Sequence, residues 1–255
     1  MRCHEKLITR RALTAVVCGL ALLFCGRVVA QSTTTARPAG TKSALSDRVK
    51  ALAMPYIEND MVAGMSIGVI KGGEQASAHV GVANAAGAPN DDTIYEIGSV
   101  SKVFTGIMLA DAIVQEQVKL DQPAQELLPD GVKMPARNGK PITLKNISTH
   151  RSGLPRLSNN MPSVTGSNPY SDYTSELAYA FLNEHELQRE PGEKYEYSNF
   201  AVSLLGKLLA ERVGKSYDEL LQERLAQPLG MKETRVEMTQ AMRRRLATPH
   251  KAGGG

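Results

Sequence analysis

Two short motifs in this 255-residue chain carry side chains that could together perform acyl transfer. The first places Ser99 three residues before Lys102, and the second places Tyr197 two residues before Asn199. A hydroxyl held beside a basic group is an activated nucleophile, and a phenol held partly ionised by a nearby lysine can act as a general base. An Asn amide can orient a substrate carbonyl. These four residues are therefore candidates for a nucleophilic serine site.

The first motif lies where a helix is predicted to begin. Gly98 precedes Ser99, and apolar residues at helical spacing then continue to about Gln117. The N-terminal end of a helix favours negative charge, and Lys102 lies one turn further along the same face. The ordinary alternative is a serine that caps the helix and a lysine that faces water. The spacing alone leaves both interpretations open, because a chain of this composition is expected to contain such a pair by chance.

The second motif follows a turn at Pro191-Gly192 and opens another apolar helix. The ordinary alternative here is that Tyr197 packs its ring against neighbours while Asn199 caps the helix. The two motifs occur together, in this order, downstream of a pair of predicted strands. This combination favours the catalytic interpretation more than either motif does alone.

The elements around the motifs predict an α+β fold. Two β-type runs, at residues 65–70 and 76–82, flank a turn at residues 71–74 and indicate a hairpin. A lone hairpin is marginal in water, so these strands need sheet partners. Helical patterns begin at residue 45 and, beyond the helix that starts at Ser99, recur over residues 175–183, 199–213 and 217–226. The stretches 129–141 and 152–170 are rich in Pro, Gly and Asn and are predicted to be loops.

At this point the sequence resembles the serine β-lactamase and penicillin-binding-protein superfamily, in particular the branch with class C β-lactamases, DD-carboxypeptidases and related esterases. The segment TIYEIGSVSK at residues 93–102 is similar to that family's nucleophile segment. Residues 118–121, with Leu128-Pro129 after them, resemble the loop behind the nucleophile helix. The segment ISTHRSGLP at residues 147–155 and the stretch 191–206 resemble two further family motifs.

The resemblance implies a role for each of the four candidates. Ser99 would be the acylated nucleophile, and Lys102 the amine that helps to deprotonate it. Tyr197 would be the base and later the acid, and Asn199 would position the substrate. The backbone N–H of Ser99 would be one oxyanion-hole donor. Which of Lys102 and Tyr197 takes the first proton stays open. His150, in the third of these segments, is predicted to be structural.

A third family motif, K-[ST]-G or H-x-G on a strand after the second motif, has no convincing match. His79-Val80-Gly81 and Lys71-Gly72-Gly73 precede the nucleophile, and Lys251-Ala252-Gly253 has only two residues after it. The sequence therefore predicts a helix-flanked antiparallel sheet of which only the first strands are present, beside a large helical region. The simplest account is a fragment, and we expect residues 31–255 alone to be poorly stable and essentially inactive. An open reading frame after codon 255 would agree with this account, whereas a stop codon there would indicate a truncated relative.

The first 30 residues have the features of an export signal. They combine basic residues up to Arg11, an apolar run from Ala12 to Gly26, and small residues before a cut at Gln31. They also contain all three cysteines, at positions 3, 18 and 25. A retained anchor is the alternative, but the apolar run is short for a membrane span. We therefore expect cleavage, no stable membrane span afterwards, and a periplasmic or secreted location.

The charge of the remaining chain argues against nucleic acid as a partner. The whole chain carries +4, but the leader holds that excess, and 25 basic and 25 acidic residues remain. The cysteine-free remainder has no thiol nucleophile or Cys-based metal site, and we expect no cofactor and no metal. The run Arg243-Arg244-Arg245 is predicted to be a solvated helix face.

The predicted organisation is a signal peptide over residues 1–30, a tether over 31–43 and a β-lactamase-related serine hydrolase domain over 44–255, incomplete at its C-terminus. The expected function is hydrolysis of β-lactams or D-Ala-D-Ala peptides through an acyl-enzyme, with a small molecule or a peptidoglycan peptide as the partner. A carboxylesterase using the same residues is one alternative. A non-catalytic penicillin-binding or sensor-like relative is the other.

Overall fold

The computed structural model describes residues 44–162 and 170–250. The predicted signal peptide, the predicted tether and Lys251-Ala252-Gly253 lie outside the described residues. Within the described ranges, no helix combines the length and the apolar character that a membrane crossing requires.

The predicted hairpin is confirmed. Strand β1 (Gly64–Lys71) pairs with β2 (Glu74–Gly81) in antiparallel register. The turn consists of Gly72 and Gly73, which both have positive φ angles, a conformation that glycine adopts without steric cost. Alternate residues of β2 are buried, and helix α1 (Ala44–Glu58) packs against this strand. Within the described residues the sheet has these two strands.

The helix that carries the first motif begins with a tight turn. A 3₁₀ turn over Gly98–Val100 leads directly into α2 (Ser101–Val114). The helix ends slightly before the predicted Gln117, because Glu116 adopts a left-handed conformation with φ of 56°. Such a residue just past the last turn is a common way to end a helix.

The other predicted helices are confirmed to within one residue at each end. They are α4 (Ser175–Glu184), α5 (Asn199–Arg212) and α6 (Tyr217–Leu221), which continues into a π-helical turn over Gln222–Ala226. Helix α5 is buried on most of its surface and packs against α2, α6 and the short α3 (Leu144–Ser148). Because α2 and α5 share this core, the N-terminal ends that carry the two motifs have fixed relative positions.

A second, very short hairpin lies in a stretch that the sequence predicts to be loop. Strands β3 (Ala136–Arg137) and β4 (Lys140–Pro141) pair across Asn138-Gly139. Asn-Gly is a turn signal, but strands of two residues are too short to show the alternation that would predict a hairpin around it.

The last described residues return to the segment that precedes Ser99. Ile94 forms a parallel bridge with Leu246, and the short helix α7 (Gln240–Arg243) lies just before this contact. Arg245 binds the Glu233 carboxylate through two nitrogens and donates to the Asp92 carbonyl at 2.8 Å. Arg243 and Arg244 are exposed as predicted, and the partly exposed Arg245, in the turn after α7, binds a carboxylate and a carbonyl together.

Candidate active site

Ser99 lies inside the 3₁₀ turn, and its hydroxyl does not cap the helix. No side chain caps the start of either the turn or α2. Instead, Lys102 Nζ donates a hydrogen bond to Ser99 Oγ at 3.2 Å, and the Tyr197 hydroxyl lies 2.7 Å from the same oxygen. Ser99 is exposed, whereas Lys102 and Tyr197 are partly buried. The arrangement presents a serine oxygen to solvent with two proton-transfer groups beside it.

The second motif reaches Ser99 because its middle residue anchors the start of α5. Ser198 is fully buried, and its Oγ accepts from the Ala201 N–H at 2.9 Å and donates to the Pro155 carbonyl at 2.6 Å. The cap of this helix is thus Ser198, so the alternative in which Asn199 caps it is wrong. Tyr197 is held in the extended segment that immediately precedes the cap.

The positive charges around Tyr197 favour its ionised form. The hydrogen bond with Lys102 is the largest cause that lowers the pKa of Tyr197, followed by the hydrogen bond with Ser99 and the charges of Lys102 and Arg156. The Lys102 Nζ atom lies 4.9 Å from the centre of the Tyr197 ring, and the Arg156 Cζ atom lies 5.3 Å from it. A phenol in this environment is suited to accept a proton from Ser99.

His150 supports the Tyr197 ring and the backbone beside it. The two rings lie 4.4 Å apart with an interplanar angle of 33°, and His150 Nδ1 accepts from the Ser198 N–H at 3.2 Å. Burial, and then the charge of Lys102, lower the pKa of His150, which favours the neutral ring that this bond requires. The sequence placed His150 in a recognisable segment, but gave no sign that it would touch Tyr197.

Arg156 is a second residue at this site that sequence reasoning missed. Its carbonyl accepts from the N–H groups of Asn199 and Phe200 at 3.0 and 3.2 Å, while its exposed side chain lies over the Tyr197 ring. The only available signal was its position directly after the segment 147–155. The loop between α3 and α4 therefore contributes both a backbone support and a positive charge to the site.

Asn199 is the predicted site residue that the structure does not join to the others. Among the described residues, its side chain forms no hydrogen bond with Ser99, Lys102 or Tyr197. Its Oδ1 atom is buried and has no hydrogen-bond partner in the described part of the chain. Three of the four predicted residues therefore meet through side-chain contacts, and Asn199 is linked to them through the start of α5.

The two earlier candidates for the third motif lie on the hairpin, at the end of β1 and in β2. In residues 44–162 and 170–250, neither Lys71 nor His79 forms a hydrogen bond or ring contact with the serine, lysine and tyrosine of the site. The same residues contain no group of three or more His, Cys, Asp or Glu side chains that could hold a metal ion.

A surface groove lies elsewhere on the molecule. It has a volume of about 740 Å³ and is lined by residues of α4, α5 and the turn that follows Ala124–Leu127, none of them a predicted site residue. The candidate site is therefore identified by the contacts among Ser99, Lys102 and Tyr197, and not by the position of this groove.

The fold and this cluster define an α+β protein of the beta-lactamase type. Residues 49–255 match the beta-lactamase family, and the chain belongs to it. The predicted superfamily and fold class are confirmed.

Relatives in Escherichia coli (strain K12) bear two different names. The chain is 33% identical over 231 residues to the D-alanyl-D-alanine-carboxypeptidase/endopeptidase AmpH, and this match covers 88% of this chain and 59% of AmpH. It is 28% identical over 211 residues to a beta-lactamase, with coverage of 82% and 53%. The chain thus spans between half and three fifths of the length of these relatives.

A solved structure, the beta-lactamase/D-alanine carboxypeptidase from Yersinia pestis complexed with citrate, superimposes with a TM-score of 0.74. The two sequences are 29% identical, and the match covers 81% of this chain and 60% of the other.

Proposed function

We propose that this protein is an exported serine hydrolase that cleaves amide or ester bonds through an acyl-enzyme. The observation that carries the proposal is the contact of Ser99 Oγ with both Lys102 Nζ and the Tyr197 hydroxyl. The predicted signal peptide supports export. The β-lactamase-related domain is proposed to occupy residues 44–255, beyond the predicted tether.

The first half of the reaction would form the acyl-enzyme. Tyr197, ionised with the help of Lys102, takes the hydroxyl proton as Ser99 Oγ attacks the substrate carbonyl carbon. The Ser99 N–H, at the start of a helix, donates to the oxyanion of the tetrahedral intermediate. When the intermediate collapses, Tyr197 gives its proton to the departing amine or alcohol.

The second half would hydrolyse the ester. Tyr197, ionised again, takes a proton from water as the water oxygen attacks the acyl carbon. When the ester C–O bond breaks, Tyr197 returns this proton to Ser99 Oγ. Lys102 Nζ lies beside both Ser99 Oγ and the Tyr197 ring, so Lys102 is placed either to stabilise the phenolate or to take the first proton in place of Tyr197. Asn199 is proposed to orient the substrate.

D-Ala-D-Ala peptides and β-lactams are the proposed substrate classes. Support comes from the names of the AmpH and Yersinia pestis relatives, which refer to D-alanine carboxypeptidases, and from the beta-lactamase family match. In both classes the serine hydroxyl attacks an amide carbonyl carbon and becomes acylated, so the same site could serve both reactions.

Covalent labelling with a fluorescent penicillin tests the proposal. In the full-length protein the label is expected to bind, and Ser99→Ala is expected to abolish this binding, whereas residues 31–255 alone are expected to be essentially inactive. Ser101→Ala is the matched control, since Ser101 lies two residues away and contacts neither Lys102 Nζ nor Tyr197 through its side chain in the described structure. Equal labelling of wild type and Ser99→Ala would overturn the assignment of the nucleophile.

Turnover assays then separate the predicted alternatives. Hydrolysis of nitrocefin or release of D-alanine supports the proposal, whereas cleavage of p-nitrophenyl esters alone would favour a carboxylesterase. A stable adduct at Ser99 without turnover would favour the sensor-like alternative.

A further inference from the structure

A second serine on the molecule lies in a relay of hydrogen bonds that the Ser99 site does not use. Ser66 on β1 and His79 on β2 are directly opposite each other in the hairpin register. Ser66 Oγ lies 2.8 Å from His79 Nδ1, and His79 Nε2 lies 2.9 Å from the Asp91 carboxylate. The Tyr95 hydroxyl lies 3.0 Å from Ser66 Oγ.

The chemistry of these groups determines where the protons lie. The ionised Asp91 carboxylate only accepts hydrogen bonds, so a neutral His79 must carry its proton on Nε2. Nδ1 is then an acceptor, and Ser66 must donate its proton to it. The remaining partner, the Tyr95 hydroxyl, must in turn donate to Ser66 Oγ. The relay thus holds the serine proton on the imidazole side.

This is the arrangement of a serine nucleophile with a general base and an orienting carboxylate. Such constellations recur on unrelated folds and are recognised by geometry and roles. Here the serine meets Nδ1 of the imidazole and the carboxylate meets Nε2. Both ring nitrogens have equivalent capacity to accept and donate, so the roles are preserved.

The accessibility of the four side chains suits a reaction at the surface. Ser66, Asp91 and Tyr95 are exposed, and the side chain of His79 is 20% exposed. The residues come from two strands and from the segment that follows the hairpin, so pairing within the hairpin does not by itself create the relay. Asp91 also accepts from Ser77, which helps to hold the carboxylate beside His79.

We propose that Ser66 is a second acylation site, independent of Ser99, for small activated esters and related acylating agents. Ser66 Oγ attacks the ester carbonyl carbon while His79 Nδ1 takes the hydroxyl proton. The C–O bond to the alcohol then breaks, and the alcohol leaves with the proton from His79. Water releases the acyl group by the reverse proton path, in which His79 again acts as the base.

Tyr95 is the donor available to the developing negative charge. Its hydroxyl lies beside Ser66 Oγ, where the oxyanion of a tetrahedral intermediate forms, and a phenol can donate to it. Because a single hydrogen-bond donor would stabilise the oxyanion, we expect slow turnover. The covalent adduct at Ser66 is therefore the quantity to measure.

The test is to treat the Ser99→Ala protein with diisopropyl fluorophosphate and to map the adducts by peptide mass spectrometry. The serine oxygen displaces fluoride from phosphorus, and the hydroxyl proton goes to His79. Ser66 is expected to react. Ser77 is the internal control, because it lies on the same hairpin but its hydroxyl donates to the Asp91 carboxylate and not to the imidazole. His79→Gln is expected to slow the labelling of Ser66 by roughly a hundredfold, the usual contribution of a positioned base.

Labelling of Ser66 no faster than that of Ser77 would overturn the proposal, and would mean that the relay only ties the segment around Asp91 to the hairpin. Labelling of Ser66 that His79→Gln leaves unchanged would also overturn it. If thermal unfolding shows that His79→Gln disturbs the fold, the comparison of Ser66 with Ser77 in the Ser99→Ala protein decides, since it needs no second substitution. None of these outcomes depends on acylation at Ser99.

Discussion

The hydroxyl oxygens of Ser99 and Tyr197 lie 2.7 Å apart, although 98 positions separate the two residues in the chain. Each residue belongs to the N-terminal end of a helix, and the two helices, α2 and α5, pack side by side. The contact is therefore a consequence of helix packing. A substitution that alters the packing of α2 against α5 should therefore change the distance between Ser99 and Tyr197, even if it lies outside the site.

Removal of the Tyr197 hydroxyl should slow acylation far more than it affects folding. Tyr197→Phe keeps the ring against His150 but removes the proposed base, so the acylation rate should fall roughly 100- to 10,000-fold. Stopped-flow measurement of penicillin labelling gives the rate. Tyr195→Phe is the matched control, because Tyr195 contacts the edge of the His150 ring and not Ser99. Equal rates for the two variants would contradict the role of Tyr197.

The pH dependence of acylation should report the environment of Tyr197. Because its pKa is lowered, chiefly by the hydrogen bond with Lys102, the rate should rise with pH below the usual pKa of a phenol, near 10. Arg156→Gln removes a smaller contribution of the same sign, so the rising limb should move to higher pH. Arg151→Gln, which alters a neighbouring exposed arginine, should leave the limb in place. A shift to lower pH in Arg156→Gln would contradict the sign of this effect.

His150 should make the folded protein less stable in mild acid. Its pKa is lowered in the folded state, first by burial and then by Lys102, relative to about 6.5 in the unfolded chain. The stability that depends on the neutral ring is fully present above pH 6.5 and is lost as the pH falls through the folded-state pKa. Protonation of Nδ1 would also end its bond with the Ser198 N–H.

His150→Asn should weaken this pH dependence. Asn tolerates the left-handed φ of 56° at this position and offers a carbonyl acceptor in place of Nδ1. Urea unfolding of both proteins at pH 7.5 and pH 5 measures the difference. His250→Asn, at an exposed position, should retain the wild-type change between the two pH values. An equal loss of stability in wild type and His150→Asn would count against the assignment.

Two helical glycines should respond oppositely to alanine. A Cβ atom at Gly206 would lie 2.6 Å from the Tyr217 ring, which a hydrogen bond to Thr105 holds in place, so Gly206→Ala should destabilise the protein by about 1–3 kcal/mol. A Cβ atom at Gly106 would meet open space, so Gly106→Ala should stabilise it by about 0.5–1 kcal/mol. Urea unfolding measures both. Stabilisation by Gly206→Ala would contradict the close packing of α5 against Tyr217 of α6.

The sequence was informative wherever a local pattern has one physical solution. Two alternating strands around Gly72-Gly73 could only form a hairpin, and the apolar spacing after Asn199 could only be buried as a helix. The short hairpin at Asn138-Gly139 was missed because strands of two residues have no measurable alternation. The end of α2 was misplaced because the left-handed conformation of Glu116 depends on its surroundings.

What the sequence by itself determined was the residue types of the site and the helix starts that carry them. Ser99 and Lys102 are one helical turn apart, so their contact is local and could be predicted. Only the tertiary structure decided that the Tyr197 hydroxyl contacts Ser99 Oγ and that Ser198 rather than Asn199 caps α5. It also decided that His150 and Arg156 lie beside the phenol ring. Those contacts depend on how the loop before α4 packs against the helices. The spacing of residues within one segment does not determine how that segment packs against a distant one.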